Sequence, residues 1–215
     1  MEQELAILMA DLSGYTALTE THGAVSAADL IDKYIRIAEN CLVGNTTIHE
    51  RTGDEIMFIS DSADDLLKTA LLLEVQTSSE EHFLLIHGGL HYGKLLKRGN
   101  NYFGASLNFV SRIAAKANPG SFVCSDDYIK ALKNPSAVSF ISTGNHSLKN
   151  IQDKKEIFAL NIPKNQHHFI DPVCRMLIVN PQQAVHHPTE SGIYFCSSSC
   201  LHYFQANSKQ PASLV

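Results

Sequence analysis

The sequence predicts an α/β protein of the α+β kind, with one mixed sheet domain followed by a small cysteine-rich unit. Three observations support this prediction. Short apolar runs alternate with stretches of helical periodicity over most of the chain. The chain has 215 residues and is 44% hydrophobic, as expected for a protein that buries a core. Three of its five cysteines, Cys174, Cys196 and Cys200, lie near the C-terminal end.

The first elements follow one another in a regular order. Leu5–Ala10 is short and continuously apolar, which predicts a buried strand that ends at Asp11. Ser26, with Asp29 three residues later, predicts the start of a long amphipathic helix. A hairpin follows, and its turn reads RTGD.

The later elements are predicted from the same signals. A second helix begins at Ser62, and a third covers 105–117. The stretch KRGNNYFG is predicted as a loop because it is rich in glycine and asparagine. Four apolar segments are predicted as strands: FLLIHGGLHYG, SFVCS, VSFIST and EIFALN. A proline and the loss of periodicity in NIPKNQHH place the domain boundary there, with a first domain over 1–162 and a linker and second domain over 163–215.

Composition and charge exclude several classes of function. The formal charge of −5 comes from 22 acidic and 17 basic residues that are spread along the chain without a basic stripe. Nucleic acid is therefore not an expected partner. The first ten residues, MEQELAILMA, resemble neither a signal peptide nor a membrane-spanning segment. We expect a cytoplasmic protein without membrane association.

Two aspartates lie where predicted strands meet turns. Asp11 follows the first strand and Asp54 occupies the hairpin turn, so their carboxylates converge if the two strands are neighbours. Paired carboxylates suit Mg²⁺ or Mn²⁺, which prefer oxygen ligands. The alternative is that Asp11 caps a turn and Asp54 is an ordinary hairpin residue.

Asn108 and Arg112 form a second polar pair. They are four residues apart on a predicted helix and therefore share a face. A guanidinium beside an amide suits a polyphosphate and a ribose. The alternative is that both side chains are simply solvated.

Together, these residues belong to a sequence that resembles the catalytic domain of class III nucleotide cyclases. The resemblance covers about residues 4–162 and rests on four segments: MADLSGYT, RTGDEIMF, YFGASLNFVSRIAAKANPGSFVCS and LKNIQDKKEIFAL. It implies a ferredoxin-like sheet with helices, and conversion of a purine nucleoside triphosphate, GTP or ATP, to cyclic nucleotide and pyrophosphate. It also implies an active site between two such domains, so a homodimer is expected.

The resemblance implies a role for each matching residue. Asp11 and Asp54 would hold two Mg²⁺ or Mn²⁺ ions, with the backbone carbonyl of Leu12 as a further ligand. Asn108 would orient the ribose. Arg112 would stabilise charge on the α-phosphate while the 3′-oxygen attacks and pyrophosphate leaves. Catalysis of this kind depends on positioning and on electrostatic stabilisation.

The remaining matched positions concern the triphosphate and the base. Lys149 aligns with a lysine that contacts the triphosphate, although Asn150 stands where glycine is usual. Glu50 stands where adenylate cyclases usually carry lysine and guanylate cyclases glutamate, and a carboxylate that only accepts hydrogen bonds suits guanine. Asn101, the partner position, donates and accepts and so is compatible with either base. The alternative for Glu50 is an exposed hairpin side chain.

The C-terminal cysteines predict a metal site. Cys174 and Cys196 are separated by 21 residues, and Cys200 follows four positions later. Thiolates at this spacing in a cytosolic protein favour Zn²⁺ or another thiophilic metal over a disulfide, although buried cysteines can also be simple core residues. Residues 167–207 resemble the YHS domain, a treble-clef-like metal-binding module, with Arg175 in place of the usual glycine. Four residues are left open as the fourth ligand: Asp171, His186, His187 and His202.

Three functions are compatible with these patterns. The first is a nucleotide cyclase with a metal-binding accessory domain. The second is a non-catalytic nucleotide or metal sensor on a cyclase scaffold, and the third is a metal-trafficking protein in which the first domain only dimerises. The joint presence of both aspartates with Asn108 and Arg112 favours the first, because a domain without activity has no physical reason to keep all four.

Overall fold

The structure, a computed structural model, describes residues 2–162 and 168–207. The strands of the first range are β1 (Glu2–Leu12), β2 (Thr47–Thr52), β3 (Glu55–Ser60), β4 (Ile86–Arg98), β5 (Asn101–Phe103), β6 (Ser121–Ser125), β7 (Ser139–His146) and β8 (Lys155–Asn161). Its helices are α1 (Tyr15–Asn40), α2 (Ala63–Ser78), α3 (Ala105–Ala114) and α4 (Asp126–Ala131), with a 3₁₀ turn at Pro135–Ala137. The second range contains β9 (Phe169–Ile170), β10 (Leu177–Ile178), β11 (Val185–His186), β12 (Tyr194–Phe195) and α5 (Ser198–Asn207).

β1 lies inside the sheet, between β3 and β4. The strand order is β2-β3-β1-β4-β6-β8-β7, and β5 pairs with β4 outside this path. The β4–β6 pairing is parallel, and β1 pairs antiparallel with both of its neighbours. In this register Asp11 lies opposite His87, and Ala10 lies opposite Ile56 near the start of β3. The end of β1 therefore meets the turn that joins β2 to β3.

The side chains of β1 alternate between two cores. One core lies against α1 and α2 and contains Ala6, Leu8, Ala10 and Leu12. The other lies against α3 and contains Leu5 and Ile7. Because successive strand residues point to opposite faces, Asp11 shares the face of Ile7. The same face of the sheet carries α3, and with it Asn108 and Arg112.

The position predicted for the start of the first helix, Ser26, is wrong. α1 begins at Tyr15, directly after Gly14, whose φ of +99° is accessible to glycine without strain. Ser13 and Gly14 alone join β1 to α1. Gly23 (φ 81°, ψ 172°) interrupts the helical path, so α1 consists of two segments. The prediction missed the first segment because it starts within the turn-forming residues SGYT.

The other predicted elements are present, with differences in extent. The hairpin, the second helix and the strands over SFVCS, VSFIST and EIFALN form as predicted. The third helix ends at Ala114 and not at 117, and the strand predicted over FLLIHGGLHYG begins at Ile86 and continues to Arg98. Ser62 caps α2 by accepting a 3.2 Å hydrogen bond from the amide of Asp65. The loop predicted over KRGNNYFG is wrong in part, because β5 forms there and folds back onto β4 around Gly99 (φ +58°). The short helix α4 was not predicted.

Residues 168–207 form a small module that packs on the sheet domain. Its cluster of buried residues is small: Cys174, Phe195 and Cys200. Backbone hydrogen bonds join it to the segment that leads into β4. The amide of Leu177 donates to the carbonyl of Phe83 (2.6 Å), and the amide of His82 donates to the carbonyl of Leu177 (3.1 Å). The module thus extends the hydrogen bonding of the larger domain.

A carboxylate strengthens this attachment. Oε2 of Glu81 accepts hydrogen bonds from the amides of Val179 and Asn180, each at 2.9 Å. The predicted division between 1–162 and 163–215 stays a prediction, because 163–167 lie outside the described residues. In the described part of the chain, every helix is too short or too polar to cross a bilayer.

The second segment of α1 is anchored beside Asp11 by a buried tyrosine. Tyr34 is fully buried, and its hydroxyl donates to the carbonyl of Ala10 at 3.2 Å. Tyr34→Phe should lower the free energy of unfolding by about 1 kcal/mol, because a buried hydrogen bond is lost. Tyr203→Phe is the matched control, since Tyr203 is 57% exposed. Urea denaturation measures both, and equal stabilities of the two variants would contradict this role of Tyr34.

Candidate active site

Asp11 and Asp54 face each other at the end of β1. Asp11 is the penultimate residue of β1, and Asp54 follows Gly53 (φ +62°) in the turn before β3. Burial raises the pKa of Asp11. Burial, and after it the charge of Asp11, raises the pKa of Asp54 to about 6. The two carboxyl groups are close enough for their charges to interact, so the simultaneous ionisation of both is disfavoured.

This pair has the donor set of a Mg²⁺ or Mn²⁺ site. Oδ1 of Asp11 is buried and receives no hydrogen bond from the described residues. A buried carboxylate oxygen without a donor is costly, and a divalent cation would satisfy it. Burial raises the pKa of Asp11 more than the interaction with Asp54 and the hydrogen bond from the amide of Leu12 lower it. Glu55 adds a third nearby carboxylate, and burial raises its pKa too.

The sequence prediction missed His87, which adjoins the pair. Its Nε2 lies 3.9 Å from Oδ2 of Asp11, and its Nδ1 lies 2.9 Å from Oγ of Ser13. Burial lowers the pKa of His87, against the opposing effect of the Asp54 charge. A neutral imidazole does not balance two carboxylates, so the need for a cation remains. The only signal in the sequence would have been the β1–β4 register, which residue patterns do not reveal.

Asn108, Arg112 and Lys149 line a common pocket of about 510 Å³. Asn108 and Arg112 occupy one face of α3, as their spacing predicts. Lys149 approaches from the turn between β7 and β8. A pocket of this volume is in the range of small-molecule sites. Two cationic groups beside an amide suit an anionic ligand with hydroxyl groups.

A buried histidine forms the pocket's inner wall. His91 is 6% exposed, and its Nδ1 lies 2.8 Å from Oγ of Ser125. Burial lowers the pKa of His91 to about 4, so the ring is neutral at pH 7. The ring packs edge-on against Phe109 of α3, with 4.6 Å between centroids. His91 therefore helps to position α3, a role that the sequence did not suggest.

Glu50 and Asn101 lie on neighbouring parts of the sheet domain. Glu50 is an exposed residue of β2, and Asn101 is an exposed residue of β5. His49 precedes Glu50 and Tyr102 follows Asn101, and the rings of His49 and Tyr102 pack edge-on with 4.8 Å between centroids. This contact brings β2 and β5 together. Neither Glu50 nor Asn101 lines the pocket that contains Asn108.

The three C-terminal cysteines converge with a histidine from α1. Sγ of Cys196 lies 3.5 Å from Sγ of Cys174 and 3.6 Å from Sγ of Cys200. Nε2 of His22 lies 3.5 Å from Sγ of Cys196 and 3.4 Å from Sγ of Cys200. All four ligand atoms lie within 4.8 Å of one another. The structure therefore gathers every cysteine that the sequence singled out.

The four residues left open as the fourth ligand all lie outside this cluster. Asp171 is fully buried, and its carboxylate accepts hydrogen bonds from the amides of Cys174 (3.3 Å) and Cys196 (2.8 Å). It fixes the two loops that carry these cysteines. His186 Nε2 bonds to the carbonyl of Pro181, His187 packs against Phe195 and Phe204, and His202 is exposed. His22 could not be inferred, because a contact between residues so distant in sequence leaves no local pattern.

Known proteins resemble the sheet domain in sequence. No family model matches the chain. An adenylate cyclase of Glutamicibacter nicotianae is 26% identical over 130 residues, which are 60% of this chain and 32% of the relative. A pH-sensitive adenylate cyclase of Mycobacterium tuberculosis is 25% identical over 130 residues, 60% of this chain and 33% of the relative. The chain thus spans about a third of the length of these relatives.

Solved structures resemble the sheet domain more completely. Adenylate cyclases of Trypanosoma brucei in their monomeric state superpose with a TM-score of 0.67 at 15% identity, over 74% of this chain and 88% of theirs. This is the fold of a class III nucleotide cyclase catalytic domain. An adenylate/guanylate cyclase/hydrolase from Silicibacter pomeroyi matches the cyclase fold with a TM-score of 0.60 at 24% identity, over 74% of this chain and 97% of that one.

Asn150 and Arg175 stand where the resembling families usually carry glycine, and both residues keep a left-handed backbone. Asn150, in the cyclase fold, has φ +64°, and Arg175, in the module, has φ +68°. Asparagine tolerates this conformation, whereas arginine is strained in it. Cβ of Arg175 packs so closely on Gly14 that a Cβ added to that glycine would lie 2.5 Å away. The module therefore touches the loop that follows Asp11 and Leu12.

Within one chain, the carboxylates and the cationic pocket form separate groups. Neither Asp11 nor Asp54 lines the pocket of Asn108, Arg112 and Lys149. Both groups nevertheless belong to the same face of the sheet. A single chain therefore presents two separate polar groups on one face.

Because the pKa of Asp54 is raised, ionisation of this carboxyl lowers the free energy of unfolding, and the loss depends on pH. A folded-state pKa of about 6, above the ordinary 3.8, favours folding at low pH, and this contribution is lost as the pH rises through 6. Without divalent cations, Asp54→Asn should therefore raise the free energy of unfolding at pH 7.5. We expect a gain of about 1 kcal/mol. The full change in pKa corresponds to about 3 kcal/mol, but solvent screens the charge of a half-exposed carboxyl.

Urea denaturation in EDTA at pH 7.5 and pH 4 measures this difference between Asp54→Asn and the wild type. The gain should disappear toward pH 4, where the wild-type carboxyl is protonated. Added Mn²⁺ should favour the wild type at pH 7.5, since the variant lacks a ligand. A gain that is the same at both pH values would contradict its assignment to the ionised, partly buried carboxylate of Asp54.

Proposed function

We propose that the chain is a nucleotide cyclase, which converts a purine nucleoside triphosphate to cyclic nucleotide and pyrophosphate with two-metal catalysis. The observation that carries this proposal is the half-buried pair Asp11 and Asp54, with a carboxylate oxygen that has no donor among the described residues. The fold and the adenylate cyclase relatives support it. The acidic pair and the cationic pocket are complementary to a cation–triphosphate complex.

The carboxylates would hold the cations. Asp11, Asp54 and the backbone carbonyl of Leu12 supply oxygen ligands at the end of β1, as Mg²⁺ or Mn²⁺ prefers. Bound there, the cations would supply Lewis-acid activation of the 3′-hydroxyl and charge neutralisation on the phosphates. Burial keeps competing hydrogen-bond donors away from Oδ1 of Asp11.

The pocket residues would bind and orient the rest of the nucleotide. Asn108 can donate to and accept from the ribose, which aims the 3′-oxygen at the α-phosphate. Arg112 would stabilise the charge that develops on the α-phosphate as pyrophosphate leaves. Lys149 would contact the triphosphate as a point charge. Their shared pocket supports this division of roles.

Glu50 and Asn101 would read the base. The carboxylate of Glu50 accepts hydrogen bonds and so complements the adjacent N–H donors of guanine. We therefore propose that GTP is used at least as well as ATP. Both nucleotides occur among structures with this fold, since a guanylate cyclase domain from Catenaria anguillulae was solved with GTP and a rhodopsin-guanylyl cyclase of converted specificity with an ATP analogue.

The active enzyme would be a homodimer. One chain presents the acidic and cationic half-sites separately on one face, so a second copy in a two-fold arrangement would complete both. Each of the two equivalent sites would take Asp11 and Asp54 from one protomer and Asn108 and Arg112 from its partner.

The C-terminal module would be a metal-binding accessory domain of the YHS kind. Sγ of Cys196 lies 3.5 Å from Sγ of Cys174 and 3.6 Å from Sγ of Cys200, which is too far for a disulfide and suited to one shared thiophilic cation. The thiol of Cys174 lowers the pKa of Cys196, which favours the thiolate that such a cation requires.

The activity itself is the first test. Purified protein with Mn²⁺ should form cyclic GMP from GTP at least as fast as cyclic AMP from ATP, with products resolved by chromatography. Asp54→Asn should lower turnover by at least about 100-fold, because a cation ligand is lost. Asp61→Asn, which changes an exposed carboxylate at the other end of β3, is the control. Turnover that Asp54→Asn leaves unchanged would contradict the metal assignment, and a clear preference for ATP would contradict the role of Glu50.

The shared active site predicts complementation between two inactive variants. Asp11→Ala and Arg112→Ala should each be inactive alone. Random exchange makes about half of the dimers mixed, each with one intact site, so the mixture should recover roughly a quarter of wild-type activity. The variants are co-expressed to ensure exchange. Asp11→Ala with Asp54→Ala is the control, because both lesions fall in the same half-site and no intact site can form. Mixed dimers that form but stay inactive would exclude the shared site.

A further inference from the structure

The cysteine cluster includes one side chain from the cyclase fold itself. His22 belongs to α1, whereas Cys174, Cys196 and Cys200 belong to the module. The residues are far apart in sequence, and their ligand atoms still converge within 4.8 Å. Cys174 and Cys200 are buried, and Cys196 and His22 are partly buried. The cluster therefore lies at the junction of the two units.

The spacing of the four atoms matches a tetrahedral cation site. Bond lengths of about 2.3 Å to sulfur and 2.0 Å to nitrogen place S···S edges at about 3.8 Å and S···N edges at about 3.5 Å around Zn²⁺. Sγ of Cys196 lies 3.5 and 3.6 Å from the other two Sγ atoms, and Nε2 of His22 lies 3.5 Å from Sγ of Cys196 and 3.4 Å from Sγ of Cys200. The remaining pairs of ligand atoms lie within 4.8 Å. A disulfide would need sulfurs about 2.0 Å apart. The arrangement therefore fits a Cys₃His centre.

We infer that His22 is the fourth ligand of a Zn²⁺-type site with Cys174, Cys196 and Cys200, and that the cation fastens the module to the helix that follows the active-site loop. This inference rests on the thiolate site proposed above. It adds a ligand and a structural consequence, namely that metal loading orders the first segment of α1.

Contacts at both ends of the first segment of α1 support the inference that metal loading orders this segment. His22 is its last residue, because Gly23 interrupts the helix immediately afterwards. At its start, Gly14 lies against the side chain of Arg175, the residue next to Cys174. The module thus contacts residues 14–22 at both ends. Ser13 and Gly14 are the only residues between this segment and β1, so its position bears directly on the backbone at Asp11 and Leu12.

The module needs the cation for its own stability. Its buried cluster has few large side chains, and two of its three fully buried members are the ligands Cys174 and Cys200. Units of this size rarely fold on packing alone, and a structural metal commonly supplies the missing free energy. The hydrogen bonds of Leu177 with His82 and Phe83 attach the module to the segment that leads into β4. His22 adds a second attachment, from α1, that depends on the cation.

The test compares His22→Ala with His202→Ala in the full chain. His202 is exposed on α5 and lies outside the cluster, so it is the matched control. Competition with a chromophoric chelator should give one tight Zn²⁺ site in the wild type and in His202→Ala. His22→Ala should weaken Zn²⁺ binding by more than about 100-fold, since a direct ligand costs more than the outer-shell partners do. Added imidazole should restore the d–d spectrum of the Co²⁺-substituted variant to the tetrahedral form.

Amide hydrogen exchange tests whether the cation fastens the module to α1. Zn²⁺ should slow exchange of residues 15–22 in the wild type and in His202→Ala, and should leave it unchanged in His22→Ala. X-ray absorption at the zinc edge of the wild type needs no variant and should find three sulfurs and one imidazole nitrogen. A first shell without imidazole, wild-type affinity in His22→Ala, or exchange of 15–22 that ignores Zn²⁺ would each overturn the inference. If Cys196→Ser also left Zn²⁺ binding unchanged, the proposed thiolate site itself would be wrong. The nucleotide assays test the cyclase activity independently of the results for His22→Ala and Cys196→Ser.

Discussion

The antiparallel pairing of β1 between β3 and β4 is the constraint on which the site depends. It places Asp11 opposite His87 and beside the turn that carries Asp54, so two carboxylates meet in a half-buried position. Their mutual repulsion and desolvation oppose folding. A sequence selected for stability alone would not keep this arrangement. The fold tolerates it because the surrounding strands are buried and well paired, and a bound divalent cation would remove the cost.

Much of the fold was predictable because its signals are local. Apolar runs, a capped helix at Ser62 and the hairpin around Gly53 identify elements whose causes lie within a few residues. The grouping of Asn108 with Arg112 was predictable from helical spacing for the same reason. The start of α1 was missed because Gly14 and its neighbours have the composition of a turn, which conceals the helix that begins at Tyr15.

The residues that could not be predicted are those defined by tertiary contacts. His87 adjoins the carboxylates only through strand register, and His91 supports α3 only through its contact with Phe109. His22 meets the cysteines across more than half of the chain. The four residues in the C-terminal segment that could have served as ligands were closer in sequence, but their side chains are engaged elsewhere or exposed. Nearness along the chain was therefore a poor guide to coordination.

The interruption of α1 at Gly23 has a mechanical consequence. A continuous helix of this length would behave as a rod, and any displacement at its first turn would reach the buried residues Tyr34 and Ala38. The left-handed φ of Gly23 breaks that continuity, so the two segments of α1 are held in the core by separate contacts. Leu18 fixes the first segment, and Tyr34 and Ala38 fix the second. A change in the direction of the first segment therefore does not have to be transmitted along a single helix axis to Tyr34.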